Sequence, residues 1–337
     1  AECLRDAGFP PGVFNFVTGP GSTVGQALVD SPEVDGVTFT GSFDVGMKMY
    51  RDFANRNHVR PIVLELGGKN PAIVSRNANL EDAATGIYRS AFGLQGQKCS
   101  AASRILVEEP VYDELLAKLK SKVDSLVIGD PTERATYIGP VVNQNSYNEF
   151  KNFTEEINQA GGRFLTGGNV KSGGMYDYGY YCEPTLVTNL PFEHRLWKHE
   201  MFLPIATIGK VKNLDEAMTI ANDVNYGLTA GFYGSQKESA WFFDNIQAGV
   251  TYANRPQGAT TGAWPGFQPF GGWKGSGASG KNGGGYYYTQ LYMHEQIQTL
   301  VKNAPVKKAK ATAKRRPERV EGKKVAKKKI VKKKSRK

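Results

Sequence analysis

The chain has 337 residues, of which 40% are apolar, 22% charged and 11% aromatic, which suits a two-domain protein with a sizeable core and excludes collagenous, coiled-coil and wholly disordered classes. The net charge of +11 is unevenly placed: residues 302–337 hold 18 Lys/Arg and two acids, so the remainder is mildly acidic. The longest apolar runs fall far short of the ~20 residues a bilayer span needs, and the opening AECLRDAGFP has neither the basic nor the apolar region of a secretory signal.

The first seventy residues alternate helix and strand. AECLRDAG reads as the end of a helix stopped by Gly8, VFNFVTG (13–19) as a strand, and STVGQALVDS (22–31) as a helix with Ser22 as its N-cap. VDGVTFTGS (34–42) is a strand, the stretch to about Asn57 a helix, and RPIVLELGG (60–68) a strand ended by paired glycines. This spacing predicts βαβ units and a parallel sheet. The pattern opens on a helix with no strand before it, and the chain lacks a starting Met, so a fragment or processed product is expected.

Farther on, amphipathic helices are predicted over 80–93, 111–126 and 145–162, with strands at RILVEE, YCEPTLVT, PIATIGKV and TAGFYG. Residues 256–285 read as loop and 286–301 as a last regular element with strand character. The Lys/Arg-rich tail from 303 is too charged and too poor in apolar residues to fold alone, and is expected to be disordered. Cys3, Cys99 and Cys182 are odd in number and widely spaced, which argues against a disulfide framework and for a reducing compartment. No metal-ligand spacing occurs, and no metal is expected.

Three places carry chemistry. Cys99, in FGLQGQKCSAASRILV, falls between a helix end and a strand start, where a rigid scaffold can present a nucleophile; the bland alternative is an inert buried thiol. Glu65 ends the apolar strand PIVLE; burial would raise its pKa toward that of a general base near neutral pH, unless it is a structural carboxylate paired with Lys69 or a backbone amide. Gly67-Gly68 allow a sharp turn and close approach of another backbone. Thr38–Ser42 ends a strand and opens a helix, with Gly41 and Gly46 in GSFDVG, and Gly21 lies in a similar context upstream; such helix starts bind phosphate. Residues 275–280 match GxGxxG letter for letter, but no strand precedes and no helix follows, so the match is rejected.

LELGGKNP, GQKCSAASR, HEMFLPI and PFGGWKGSG, in this order over residues 1–301, resemble the aldehyde dehydrogenase superfamily. GQKCSAASR together with TGAWPGFQPFGGWKGSG more narrowly resembles the 1-pyrroline-5-carboxylate dehydrogenases, which oxidise glutamate 5-semialdehyde to glutamate. The resemblance implies an α/β fold in which residues 1–66 are the C-terminal part of an NAD-binding, Rossmann-type domain, 67–273 an α/β catalytic domain, 274–302 a return segment with an oligomerisation strand at 286–301, and 303–337 a basic tail. It implies Cys99 as nucleophile and Glu65 as base, with Gly21, Gly41, Ser42 and Gly46 at the cofactor pyrophosphate and Glu200 and Phe202 at the nicotinamide ribose. Ser100, Gly262, Ala263 and Phe270 would hold a carboxylate-bearing aldehyde. NAD is the implied cofactor, NADP staying open, in a homo-oligomeric cytoplasmic enzyme without membrane contact. In the family an oxyanion-hole asparagine and an adenosine-ribose lysine precede the point where this chain begins. The tail has no family counterpart; its charge predicts contact with nucleic acid or another polyanion. The alternatives are a dehydrogenase for another aldehyde and a non-catalytic fragment acting through its tail.

Overall fold

In the computed structural model, residues 1–55, 57, 59–256, 268–277 and 281–301 are described. The architecture belongs to Ala1–His294, one of two compact units; of the other, Glu295–Lys337, residues 295–301 carry neither helix nor strand. The expectations for Gly262, Ala263 and the tail fall outside the described residues.

The elements run in the alternating order expected. Helix α1 (Glu2–Asp6) is followed by α2 (Gln26–Asp30), β1 (Val37–Thr40), α3 (Phe43–Ala54), β2 (Ile62–Glu65), β3 (Asn70–Val74), α4 (Leu80–Phe92) and β4 (Ala102–Glu108). Then come α5 (Tyr112–Asp124), α6 (Gln144–Gln159), β5 (Arg163–Thr166), β6 (Thr185–Thr188), β7 (Ile205–Val211) and α7 (Leu214–Asn222). The series closes with β8 (Tyr226–Gly227), β9 (Thr229–Tyr233), α8 (Gln236–Asn245), β10 (Val250–Ala253) and β11 (Trp273–Lys274).

Seven strands form one sheet in the order β10-β9-β3-β4-β7-β6-β5, parallel except for the β5–β6 pair. Helices cover both faces, which is why its central strands read as unbroken apolar runs. Alternate residues split between two cores: Ile73 and Leu106 pack with Phe150 of α6, Ala217 of α7 and Phe242 of α8, whereas Ala72, Val74 and Ile105 pack with Ile87 of α4 and Leu115 of α5. Strands β1 and β2 form a separate two-stranded parallel sheet in which Thr40 stands beside Glu65.

Three expectations are corrected. Residues 13–19 are not a strand: no strand pairs with them among the described residues, and Val13, Phe14, Phe16 and Val17 are exposed. Ser22 is not an N-cap; Pro20 holds that position, and Gly21–Gly25 form a π-helical turn leading into α2. Residues 286–301 hold a 3-10 turn, Thr289–Tyr292, in place of a strand. With no neighbouring strand, the backbone groups of an extended segment gain nothing over water, and side-chain preference alone does not make a strand. Among the described residues no helix is long and apolar enough to cross a membrane, and no group of three or more His, Cys, Asp or Glu is placed to hold a metal.

Candidate active site

Strand β2 carries Glu65 at its last position, and Gly67-Gly68 lead at once into β3 of the large sheet. Both glycines are needed for close approach: a Cβ on Gly67 would lie 2.0 Å from Glu200 Oε2, and one on Gly68 would lie 2.4 Å from the Cys99 carbonyl oxygen. Helix α4 ends at Phe92, and Leu94, Gln95 and Gly96 take positive φ (54°, 58° and 66°) before the chain reaches Cys99. That left-handed turn leads to Cys99, which lies within electrostatic reach of Glu65 at the end of β2. Residues 268–277 and 281–283 add further contacts: the Ser276 hydroxyl donates to Gly67 O (2.6 Å) and accepts from Gly227 N–H (3.0 Å), and Phe270 N–H donates to Gly283 O (2.7 Å). The rejected glycine match therefore begins inside a structural clamp.

These elements enclose a cleft of about 810 Å³ lined by Glu65, Cys99, Ser100, Glu200, Phe202 and Phe270. Gly41 and Ser42, at the N-terminus of α3, form part of its wall. Ser42 caps that helix, its hydroxyl accepting from Val45 N–H (3.4 Å), while Gly41 N–H is engaged by the Glu65 carbonyl (3.1 Å). Gly21 and Gly46 do not line the cleft. Gly21 is exposed on the surface, and Gly46 is buried where a Cβ would meet Leu66 Cδ2 at 2.4 Å, so it lets α3 rest on the chain after β2.

Burial dominates the electrostatics. It pushes the Glu65 carboxyl up from 4.5 to about 7, partly offset by the Gly283 N–H that donates to it. The Lys69 pairing is not formed: the Lys69 ammonium is wholly buried without a hydrogen-bond partner, and burial, aided by repulsion from Arg104, brings it down to about 7. The Cys99 thiol is also pushed up, by burial first and then by the nearby Glu200 and Glu65 charges; the backbone N–H groups of Ser100 and Cys99 act in the opposite direction. Glu200 accepts from Gly68 N–H at 2.9 Å, and burial raises its pKa. Phe202 presents its ring from a backbone at φ 53°, an unusual conformation for a large side chain. Sequence reasoning missed Lys98, which lines the cleft beside Cys99 with its pKa lowered by burial to about 8. Its position directly before the cysteine was the available signal. It also missed Gly283, whose contact with Glu65 depends on a chain return that no local pattern announces.

One cleft thus brings together a thiol, a carboxyl whose pKa burial raises to about 7 and a second buried carboxyl. Residues 1–297 match the aldehyde dehydrogenase family, and the chain belongs to that family. It is 39% identical over 306 residues to 1-pyrroline-5-carboxylate dehydrogenase 1 of Halalkalibacterium halodurans, covering 89% of this chain and 57% of that protein. Among solved structures it is similar to 1-pyrroline-5-carboxylate dehydrogenase from Thermus with bound NAD (36% identity, TM-score 0.79, 86% of this chain and 55% of that one). It is also similar to an NAD+ complex of aldehyde dehydrogenase from Bacillus cereus (30% identity, TM-score 0.79, 86% and 57%). The chain thus spans 57% of the length of the curated relatives it matches.

Proposed function

We propose that this chain carries the acyl-transfer centre of an NAD-dependent aldehyde dehydrogenase whose substrate is L-glutamate 5-semialdehyde, in equilibrium with 1-pyrroline-5-carboxylate. The observation that carries the reading is the meeting of Cys99 and Glu65 in one cleft, with Glu65 brought to about 7. A carboxylate so tuned takes protons at neutral pH. Glu65 removes the Cys99 proton and passes it to solvent. The thiolate attacks the aldehyde carbon, and the Cys99 N–H faces the oxygen of the resulting thiohemiacetal. Glu65 then deprotonates the water that cleaves the thioester, releasing the carboxylate product.

The residues present fit the nicotinamide and pyrophosphate portions of NAD: the first turn of α3, at Gly41 and Ser42, offers a helix N-terminus to phosphate, and Phe202 and Glu200, whose charge reaches Cys99, line the same cleft. NAD, when bound, supplies the hydride acceptor that turns the thiohemiacetal into a thioester. On this reading residues 1–66 belong to the cofactor half and 67–273 to the catalytic half. Ser100 and Phe270, both on the cleft wall, hold the substrate carboxylate and its aliphatic chain together with Gly262 and Ala263. Copies of the chain associate through 286–301, where Tyr286 and Ile297 are exposed. The three free cysteines suit the cytoplasm. The +16 balance of residues 302–337 supports a second property, salt-sensitive binding of nucleic acid or another polyanion.

The acyl chemistry needs no cofactor to be tested. The chain should release nitrophenol from p-nitrophenyl acetate through an acetyl-Cys99 detectable by mass spectrometry, and Cys99→Ala should do neither. Glutamate semialdehyde should protect Cys99 from iodoacetamide at lower concentration than butyraldehyde, which lacks the carboxylate. Full activity of Cys99→Ala would remove the covalent mechanism, and equal protection by the two aldehydes would remove the substrate reading.

A further inference from the structure

The turn that bears Cys99 is held from behind by a buried amide. Asn70, at the start of β3 and 2% exposed, donates from Nδ2 to the carbonyls of both Cys99 (2.8 Å) and Ala101 (2.8 Å), while its Oδ1 accepts the Thr229 N–H at 2.9 Å. Thr229 Oγ1 donates to the carbonyl between them, that of Ser100, at 3.2 Å. Ala101 N–H closes the turn onto the Lys98 carbonyl at 3.0 Å. Three consecutive carbonyls are thereby drawn toward the start of β3 and β9. A trans peptide is planar, with its C=O and N–H pointing in opposite directions. Pulling the Cys99 carbonyl toward Asn70 therefore turns the Ser100 N–H the other way, toward the sulfur, and the Lys98 carbonyl held by Ala101 orients the Cys99 N–H in the same manner.

We propose that Asn70 and Thr229 are positioning residues for the two backbone N–H groups that face the Cys99 sulfur: Asn70, by holding the Cys99 carbonyl, fixes the Ser100 N–H, and Thr229, by holding the Ser100 carbonyl, fixes the Ala101 N–H, whose bond to the Lys98 carbonyl sets the Cys99 N–H. The assignment rests on the reading of Cys99 as nucleophile but concerns residues outside the cleft wall. Its consequence is kinetic as well as structural. The thiolate, with burial and two carboxylates against it, is stabilised by N–H groups that act only if the turn keeps its orientation.

The test follows alkylation of Cys99 by iodoacetamide from pH 6 to 10.5 in the 337-residue chain, with peptide mass spectrometry separating Cys99 from Cys3 and Cys182. Asn70→Ala should move the midpoint upward by about one pH unit, so that the rate at pH 8 falls about tenfold while the limiting rate at high pH is kept. Thr229→Val is close to isosteric and retains the backbone N–H to Asn70; it should shift the midpoint in the same direction by less, about threefold in rate at pH 8. Circular dichroism confirms that each variant is folded. Midpoints unchanged in folded Asn70→Ala and Thr229→Val would overturn the positioning role and leave the nucleophile reading standing. A wild-type Cys99 no more reactive than buried Cys182 would overturn both.

Discussion

Strands β1 and β3 are short, apolar and parallel-paired, and each is followed by a helix, yet they live in different surroundings. All five residues of β3 are buried between β4 and β9 with helices on both faces. The four residues of β1 alternate between half-buried and exposed, β1 pairs with β2 alone among the described residues, and an apolar stretch at 13–17, earlier in the chain, lies exposed. The proposed catalytic pair straddles this divide: Cys99 is anchored to the large sheet through Asn70, whereas Glu65 ends the small one. The supports of the thiol, Asn70 and Thr229, are therefore buried, while the wall of Gly41 and Ser42 rests on the less buried β1–β2 region. Nucleophilic chemistry and cofactor-dependent chemistry should part company in this chain.

The largest expected effect follows from that separation. The 337-residue chain assayed alone should acylate and deacylate Cys99 with an activated ester, yet form NADH from glutamate semialdehyde far below an ordinary turnover of ~1–10³ s⁻¹. Turnover within that range would show that the β1–β2 region is as well set as the large sheet.

Next in size is Glu65→Gln, which should slow deacylation by about 10²-fold and leave acylation by the activated ester comparatively unchanged. In the wild-type chain the deacylation rate should rise with pH through about 7 and be lost as pH falls below it, because the active base is the carboxylate; the variant should be flat across that window. The stability sign is the reverse. The folded pKa lies above the ordinary carboxyl value of 4.5, so the wild type binds more protons folded than unfolded, and its stability relative to Glu65→Gln should decline as pH rises from about 4.5 through 7. Equal losses of acylation and deacylation would place Glu65 in a structural role.

A matched pair of core substitutions measures the comparison directly. Ile73→Ala, at a fully buried site of β3, should cost about 2–5 kcal/mol in urea unfolding. Val37→Ala in β1, at a half-buried site, should cost well under half of that. Similar losses would mean that the two sheets share one degree of packing.

How far the sequence could be read follows the same divide. Both-face burial writes long apolar runs, so β4, β7 and β9 were legible, as were α4, α5 and α6 from their periodicity; β3 was not read, because its NPAIV follows the paired glycines with a proline at its second position. Glu65 and Cys99 were legible because a carboxylate ending an apolar strand and a cysteine at a helix–strand junction are anomalies wherever they occur. Asn70 was not: its partners lie at Cys99, Ala101 and Thr229, and they meet only once β3, β4 and β9 are in register. Glycine was ambiguous for a related reason. Gly46 looks like a phosphate-loop residue, but what it must avoid is Leu66, a contact set by how α3 packs. Residues 13–19 have the composition of a strand; whether such a segment becomes one depends on a neighbour that its own sequence does not encode.

That last point carries the smallest prediction. Phe14 and Phe16 are 48% and 73% exposed, and no hydrogen bond among the described residues ties the backbone of 14–19 to a strand. Apolar side chains that are already wet lose little when replaced, because burial contributes only ~25 cal/mol for each Å² removed from water. Phe14→Ser/Phe16→Ser should therefore change the unfolding free energy of this chain by less than about 0.5 kcal/mol. It should nevertheless lower self-association in light scattering, since a contiguous exposed apolar stretch favours contact between copies. A loss above about 1.5 kcal/mol, outside the range for surface substitutions, would show that these rings pack against the fold in solution, and the contrast between the two sheets would shrink accordingly. Unchanged scattering with unchanged stability would leave the packing contrast intact and place the association of copies elsewhere, with 286–301 as the next segment to alter.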